Sequence, residues 1–360
     1  MMNKGVKKKK ALKILITTVS VLLTIAVGIF AAWKFMRISG KSALHSSDDK
    51  PSLPILVHTD DTAENNSEIM PEMSEPEPIN PAYAEADVVY KGIPYKYNES
   101  LINILFMGID KYSAENGRHQ ADTLYLAVID DESKNIDIIS ISRNTLAYVD
   151  EYDISGNYLA AKKEQICLAY SYGTTDEQSS DLTVKAVSGL LYGLPIQGYY
   201  TVFMDALPIV TDAVGGVSVT LAEDMTELSP DMTVGVTVKL SGDNVLSYLR
   251  KRDSELLGSN EARVSNQKQF IKGFYSAALA AVKKNPTLPA TIYNTLQEYS
   301  VTDISVGSAV YLAETVLDSK VNEIINIDGI VGTDGKYDTY TANDKNLYEM
   351  VLNVFYKKIQ

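Results

Sequence analysis

The sequence predicts an α/β domain, a central sheet flanked by helices, carried on an N-terminal transmembrane helix and a disordered stalk. Three observations predict this. Ile14 to Trp33 is an uncharged apolar run. The segment after it is acidic and rich in proline. From Leu101 onward, short β-branched apolar runs interleave with longer stretches of helical period.

Taken in order, residues 1–13 are a basic tail containing Lys4, Lys7, Lys8, Lys9, Lys10 and Lys13. The run ILITTVSVLLTIAVGIFAAW (14–33) rises about 1.5 Å per residue as a helix and so spans about 30 Å, a hydrocarbon core. Only Lys34, Arg37 and Lys41 follow it closely, so the lysine excess places the N-terminus in the cytoplasm and the rest of the chain outside. A cleaved signal peptide shares the basic start, but its apolar region runs only about 7–15 residues. Residues 34–92 read as an extracellular stalk. Acids such as Asp48, Asp60, Glu68 and Glu75 and prolines 51, 54, 71, 76, 78 and 81 leave too little apolar surface to offset the entropy of ordering.

Residues 93–360 are expected to form one domain. NILFMGI (103–109), TLYLAVI (123–129) and IDIISIS (136–142) are strands, the last two joined as a hairpin by the polar turn DDESKN. A helix is expected over 182–194 with a Gly-Leu-Pro stop, then a strand at 198–204, a helix over 205–216 and a short strand at 217–221. Further helices are expected from about Asn260 to Lys284, over 304–318 and over 343–358, with a late strand at INID. There are no internal repeats.

Composition narrows the function. With 33 basic and 46 acidic residues the net charge is −13, a field that repels nucleic acid. The single cysteine, Cys167, excludes an internal disulfide and a cysteine-rich zinc site. His119 is the one histidine in the domain, so no nucleophilic triad is supported. Neither a Walker-type phosphate loop nor G-x-G-x-x-G is present.

The residues suited to chemistry are acids and arginines. Asp110 follows the first strand and Asp122 precedes the second. Paired carboxylates at strand ends suit a hard cation such as Mg²⁺, although each could simply cap a turn. Arg143 follows the third strand. Arg250 and Arg252 share one face only if the chain there is extended and the preceding helix ends by about Tyr248. Arg263 and Gln267, four apart, share a helix face, which an ordinary solvated helix would also present. Guanidinium groups match phosphate oxygens bidentately, so acids plus arginines point to a divalent cation and a pyrophosphate or phosphodiester.

The stretch NILFMGID…GRHQADTLYLAVIDDESKNIDIISISRNT resembles the opening motif of the LytR-CpsA-Psr family. QICLAYSYG, GYYTVFMDALPIVTDAVGGVSVTL, LSGDNVLSYLRKRD and EARVSNQKQFI agree with later motifs in order, over roughly residues 101 to 275. The resemblance implies a single domain with a central mixed sheet flanked by helices. It also implies a membrane-anchored enzyme of Gram-positive-type envelopes that moves a glycopolymer, of teichoic acid or capsular polysaccharide type, from a polyprenyl pyrophosphate carrier to peptidoglycan. By that resemblance Asp110 and Asp122 bind Mg²⁺ (or Mn²⁺), and Asp122 also helps deprotonate the acceptor. Arg118, Arg143, Arg250, Arg252, Arg263 and Gln267 contact pyrophosphate. The lipid tail is expected in an apolar tunnel with Val184, Val187, Leu190, Leu191, Phe203, Leu207 and Val210 as candidate lining, whose spacing fits ordinary core equally. The chain departs from the pattern at Asn144, Asn266 and Cys167, where aspartate, arginine and asparagine are usual, and in the longer loop before Asp122. Two alternatives stay open: a pyrophosphatase using the same site with water as acceptor, and a non-catalytic envelope protein that binds polyprenyl phosphate.

Overall fold

The computed structural model describes residues 34–45, 50–53, 85–110, 118–251 and 259–359. The basic tail and the expected span over 14–33 lie outside the described residues. Among those described, no helix is long and apolar enough to cross a membrane.

The described chain begins with a helix over residues 34–44 (α1). Five extended segments then lead into and build the sheet: β1 (Val88–Tyr90), β2 (Ile93–Tyr97), β3 (Leu101–Ile109), β4 (Ala121–Asp130) and β5 (Asn135–Ile141). A hairpin of β6 (Leu146–Tyr152) and β7 (Tyr158–Gln165) runs into a 3-10 segment, Ile166–Tyr172, and then α2 (Asp176–Leu190). Next come β8 (Gly198–Phe203), α3 (Ala206–Ala213), β9 (Val217–Thr220), β10 (Thr237–Leu240), α4 (Asn244–Arg250), α5 (Ser259–Lys284) and α6 (Leu288–Leu296). The chain closes with β11 (Ser300–Thr302), α7 (Val306–Leu317), β12 (Lys320–Asn326), β13 (Gly329–Thr333), β14 (Asp338–Ala342), α8 (Asp344–Phe355) and β15 (Tyr356–Lys358).

Among the described residues the principal sheet has the order β11-β8-β3-β4-β5-β12. It is mixed: β8 and β3 run parallel, as do β5 and β12, whereas β3, β4 and β5 form an antiparallel meander. Alternation sorts the side chains to two faces. Leu105, Met107, Leu124, Leu126, Val128 and Ile139 pack with α2 and α8 on one face, and Ile102, Ile104, Ile129 and Ile136 pack with Tyr311 of α7 on the other. Burial on both faces explains why β3 reads as a continuous apolar run rather than an alternating one.

The expected elements are present, with shifted ends. The helix expected over 182–194 begins at Asp176, because Thr175 accepts a hydrogen bond from the Gln178 amide and Asp176 and Glu177 sit at the positive helix end. Those polar turns carry no apolar period, so periodicity alone starts the helix too late. The helix α4 runs through Arg250, two residues past the end near Tyr248 that a shared face for Arg250 and Arg252 requires. The β6–β7 hairpin was not expected. Its strand YLAAKKEQ is exposed or half-exposed throughout and has no alternation to read.

The stalk expectation fails where the structure describes it. The helix α1 packs on α7: Gly40 lies against the Gly307 backbone, Leu44 is 3% exposed among Ile102, Ile104 and Tyr311, and Arg37 Nε is 2.7 Å from Glu314 Oε2. Lys41 Nζ is 2.6 Å from Asp131 Oδ2 in the β4–β5 turn. Farther on, the Ser52 amide donates to the Tyr192 carbonyl at 2.8 Å and Leu53 packs on the main core. Composition suggested a spacer here because acids and prolines dominate 34–92 and leave no periodic apolar face; the partners lie on distant elements. The segment 54–84 lies outside the described residues.

The Lys41–Asp131 contact yields a pH prediction. Burial opposes ionisation of Asp131, but hydrogen bonds from Lys134 and Lys41 outweigh it and hold its carboxyl well below the usual carboxylate range. A depressed acid stabilises the fold above its unfolded pKa of about 4, and that contribution disappears as pH falls through the folded value. Amide exchange of residues 34–44 should therefore stay protected from pH 7 down to about 4 and speed up, beyond the intrinsic pH trend, only below it. Unchanged protection at the acid end would show that this ion pair does not hold α1.

Candidate active site

The acids and arginines converge at one end of the sheet because of strand register. Between β3 and β4, Gly108 pairs with Thr123 but Ile109 pairs with Ala121, so Asp122 is the extra residue of a β-bulge. A bulge re-aims the side chain it carries. Between β4 and β5 the pairing of Leu124 with Ile141, continued two residues, sets Arg143 across from Asp122. There Arg143 donates from Nη1 to Asp122 Oδ1 and from Nη2 to Gln120 Oε1. Gln120, two residues before Asp122, reaches the same guanidinium.

The surroundings of Arg143 are buried. Asp122 is 7% exposed, and the Cys167 thiol, fully buried, lies 3.5 Å from Arg143 Nη2. The Cys167 amide also donates to the Arg143 carbonyl at 3.2 Å, which ties the 3-10 segment to this corner. Burial pushes the Cys167 thiol above its ordinary pKa, so it sits beside the guanidinium as a neutral contact. Burial opposes the charge on Arg143, but its neighbours, Asp122 among them, outweigh that and raise its pKa further.

A second pair stands beside the first. Asp110 directly follows β3, and Arg250, in the last turn of α4, donates from Nη2 to Asp110 Oδ1 at 2.9 Å. At that helix end an arginine also meets the partial negative charge of the carbonyls. From α5, Gln267 donates from Nε2 to Thr123 Oγ1 at 3.2 Å, which brings this helix to the residue after Asp122. Asn266 turns away and donates to Glu223 at 3.2 Å. Asn144 is placed by its carbonyl, which accepts from the Tyr340 amide at 2.8 Å.

Thus Asp110, Asp122, Arg143, Arg250 and Gln267 come together. Arg118 is exposed at the start of the segment leading into β4. Arg252 lies outside the described residues; Arg263 falls within α5, and its side chain is likewise outside what is described. The seven apolar candidates do not form one lining. Val184, Val187, Leu190, Leu191 and Phe203 join the core between the sheet and α2, with Val187 and Leu191 fully buried. Leu207 packs with α5, and Val210 with Leu296 of α6. Their spacing in sequence reflects core packing on three separate elements.

The sequence reading missed Gln120 and the contact role of Cys167. Gln120 stands two residues before Asp122, just ahead of β4, whereas nothing local places Cys167 beside Arg143.

The arrangement can hold a phosphate-rich anion. The Nε atoms of Arg143 and Arg250 are buried and have no hydrogen-bond partner among the described residues. Such donors carry a desolvation cost that an anionic oxygen offsets.

The LytR_cpsA_psr family model matches residues 59–353. TagV of Bacillus subtilis (strain 168), a polyisoprenyl-teichoic acid–peptidoglycan teichoic acid transferase, is 31% identical over 175 residues, 47% of this chain and 41% of that protein. TagU of Enterococcus faecalis (strain ATCC 700802 / V583), a transferase of the same name, is 28% identical over 186 residues, 51% of this chain and 55% of that protein. The chain spans about half the length of the curated relatives it matches. The crystal structure of B. subtilis TagV superposes with a TM-score of 0.53 at 25% identity, covering 71% of this chain and 96% of that one. A structure of TagT bound to LI-WTA shares the fold, with a TM-score of 0.54, 21% identity, and 71% and 89% of the two chains covered. The match extends over most of the sequence, from the segment before β1 into α8, and the chain belongs to the LytR_cpsA_psr family.

Proposed function

We propose that this protein is a membrane-anchored phosphotransferase that moves a teichoic acid- or capsule-type glycopolymer from a polyprenyl pyrophosphate carrier to peptidoglycan. The observation that carries this reading is the pair of carboxylate–guanidinium contacts, Asp122–Arg143 and Asp110–Arg250, set at one end of the sheet with buried guanidinium Nε donors. The relatives' names support the substrate class. The lysine-flanked uncharged run supports a single-pass anchor with a cytoplasmic N-terminus, residues 1–13, and an extracellular domain from residue 93.

In the reaction, an acceptor hydroxyl oxygen attacks the sugar-linked phosphorus. The bond from that phosphorus to the bridging oxygen breaks, and polyprenyl phosphate leaves with the electron pair. Asp122 takes the hydroxyl proton. Arg143 and Arg250 donate hydrogen bonds to the pyrophosphate oxygens, and Gln120 and Cys167 keep Arg143 in place. Asp110 and Asp122 are hard oxygen donors, and among the described residues no third His, Cys, Asp or Glu joins them. That set fits Mg²⁺ (or Mn²⁺), which binds through one or two carboxylates and retains several waters. Bound there, the ion supplies neutralisation of charge on phosphate oxygens.

The test uses the full chain in lipid vesicles with a synthetic polyprenyl-pyrophosphate saccharide, peptidoglycan oligomers and Mg²⁺. Release of polyprenyl phosphate coupled to a heavier acceptor is expected. Free sugar phosphate instead would make the protein a pyrophosphatase. Bound lipid without release would make it a binding protein.

A further inference from the structure

The helix α1 directly follows the uncharged run that ends at Trp33. A spacer of 59 residues, 34 to 92, could reach about 200 Å if extended. The structure instead fastens the start of that segment to the domain, through the contacts of α1 with α7 and with the β4–β5 turn.

The helix has two unlike faces. Arg37, Gly40, Lys41 and Leu44 point to the domain. Gly40 is there because a Cβ would collide with the Gly307 carbonyl, and a Cβ on Gly307 would come within 2.9 Å of the Met36 carbonyl. The Arg37 guanidinium carbon and Lys41 Nζ also lie 5.9 and 5.7 Å from the Tyr311 ring centre. On the other side, at the N-terminal end, Phe35 is 73% and Ile38 65% exposed, and Val306, at the start of α7 beside Gly307, is 54% exposed. Lys34 stands next to them. Of the acids near α1, Glu314 is paired with Arg37, and Glu99, Asp131 and Glu132 lie with Ile38, Lys41, Ser42 and His45, where Lys41 reaches Asp131.

We infer that the N-terminal end of docked α1, with Phe35, Lys34 and the start of α7 at Val306, forms a lipid-facing surface that holds the domain directly against the bilayer. The occupant follows from where the chain goes: residue 34 comes immediately after the uncharged run that ends at Trp33. Exposed apolar side chains with a basic neighbour fit a headgroup boundary, and the opposite face of the same helix is already used by the domain. Since α1 rises about 16 Å over its 11 residues, its contacts on α7 stay within that distance of the membrane edge. The surface thus fixes how far the domain stands from the bilayer, with Asp110 and Asp122 at the sheet end opposite the β4–β5 turn that Lys41 meets. This inference rests on the membrane-anchor reading.

The test places a maleimide donor dye on Val306→Cys in the full chain, in phosphatidylcholine–phosphatidylglycerol vesicles containing a headgroup-labelled acceptor lipid; Cys167, fully buried, is shielded from the dye. More than half of the donor emission should be lost, and it should return in Gly40→Leu and in the double reversal Arg37→Glu/Lys41→Glu. The double reversal changes only partly exposed side chains, so it keeps the test valid if Gly40→Leu misfolds. Unquenched donor in vesicle-bound wild type overturns the inference, as does quenching that both variants leave unchanged. Failure of the chain to float with vesicles removes the anchor and this surface with it. Polymer transfer is followed in the same samples: transfer without quenching overturns only the surface, and quenching without transfer overturns only the transferase.

Discussion

Asp122→Ala should lower polymer transfer by about 10²–10⁴-fold, the range that loss of a positioned proton acceptor produces. The residue combines three features that converge on chemistry rather than on folding. It is the extra residue of a β-bulge, it is 7% exposed, and it receives a hydrogen bond from Arg143 at the sheet end where ligands of such folds bind. The carrier lipid should still bind, since Arg143 keeps Gln120 as an anchor and Arg250 is held by Asp110. The measurement is release of polyprenyl phosphate, with lipid retention and thermal midpoint followed alongside. Unchanged turnover would remove Asp122 from the mechanism; a large fall in the midpoint with a parallel fall in turnover would assign it a structural part only. Arg143→Ala should instead weaken pyrophosphate binding as well as rate, because a charge-assisted hydrogen bond contributes about 1.5–3 kcal/mol.

Leu126→Ala should destabilise the domain by about 2–5 kcal/mol, the cost of a cavity in a closed core. Leu126 is 0% exposed at the centre of β4, paired with Leu105 on β3 and Ile139 on β5, both also 0% exposed. Neighbours on two adjacent strands cannot collapse into the space without breaking both ladders. For a domain of this size the thermal midpoint should fall by roughly 4–20 °C. Phe106→Ala, on the opposite face of β3 and 43% exposed, should cost far less. Equal midpoints for the two variants would mean that the face packed against α2 and α8 is not the principal core.

The meander β3–β4–β5 was legible because each strand is a β-branched run between polar turns, and α5, α7 and α8 because each keeps a helical period. The same rules misread other segments for identifiable reasons. The first turns of α2 are polar and held by the Thr175 cap, so no period announces them. The β6–β7 ribbon is exposed along one strand, so it has no buried face to alternate against. The helix α1 is held by α7, the β4–β5 turn and the Ile102–Ile104 face of β3, all far away in sequence.

Local chemistry thus determined on its own the β3–β4–β5 meander and the helices with a clear apolar period, and that acids and arginines lie near strand and helix ends. Those are short-range properties: side-chain shape, turn propensity and charge act within a few residues. Only the tertiary structure decided that Asp110, Asp122, Arg143, Arg250 and Gln267 meet. Their meeting depends on a one-residue bulge, on the β4–β5 register and on α4 running through Arg250, and a single-residue slip would turn each strand side chain to the other face. It also separated the apolar candidates into three clusters and seated α1 on α7, because burial depends on which surfaces meet across the fold and not on spacing along the chain.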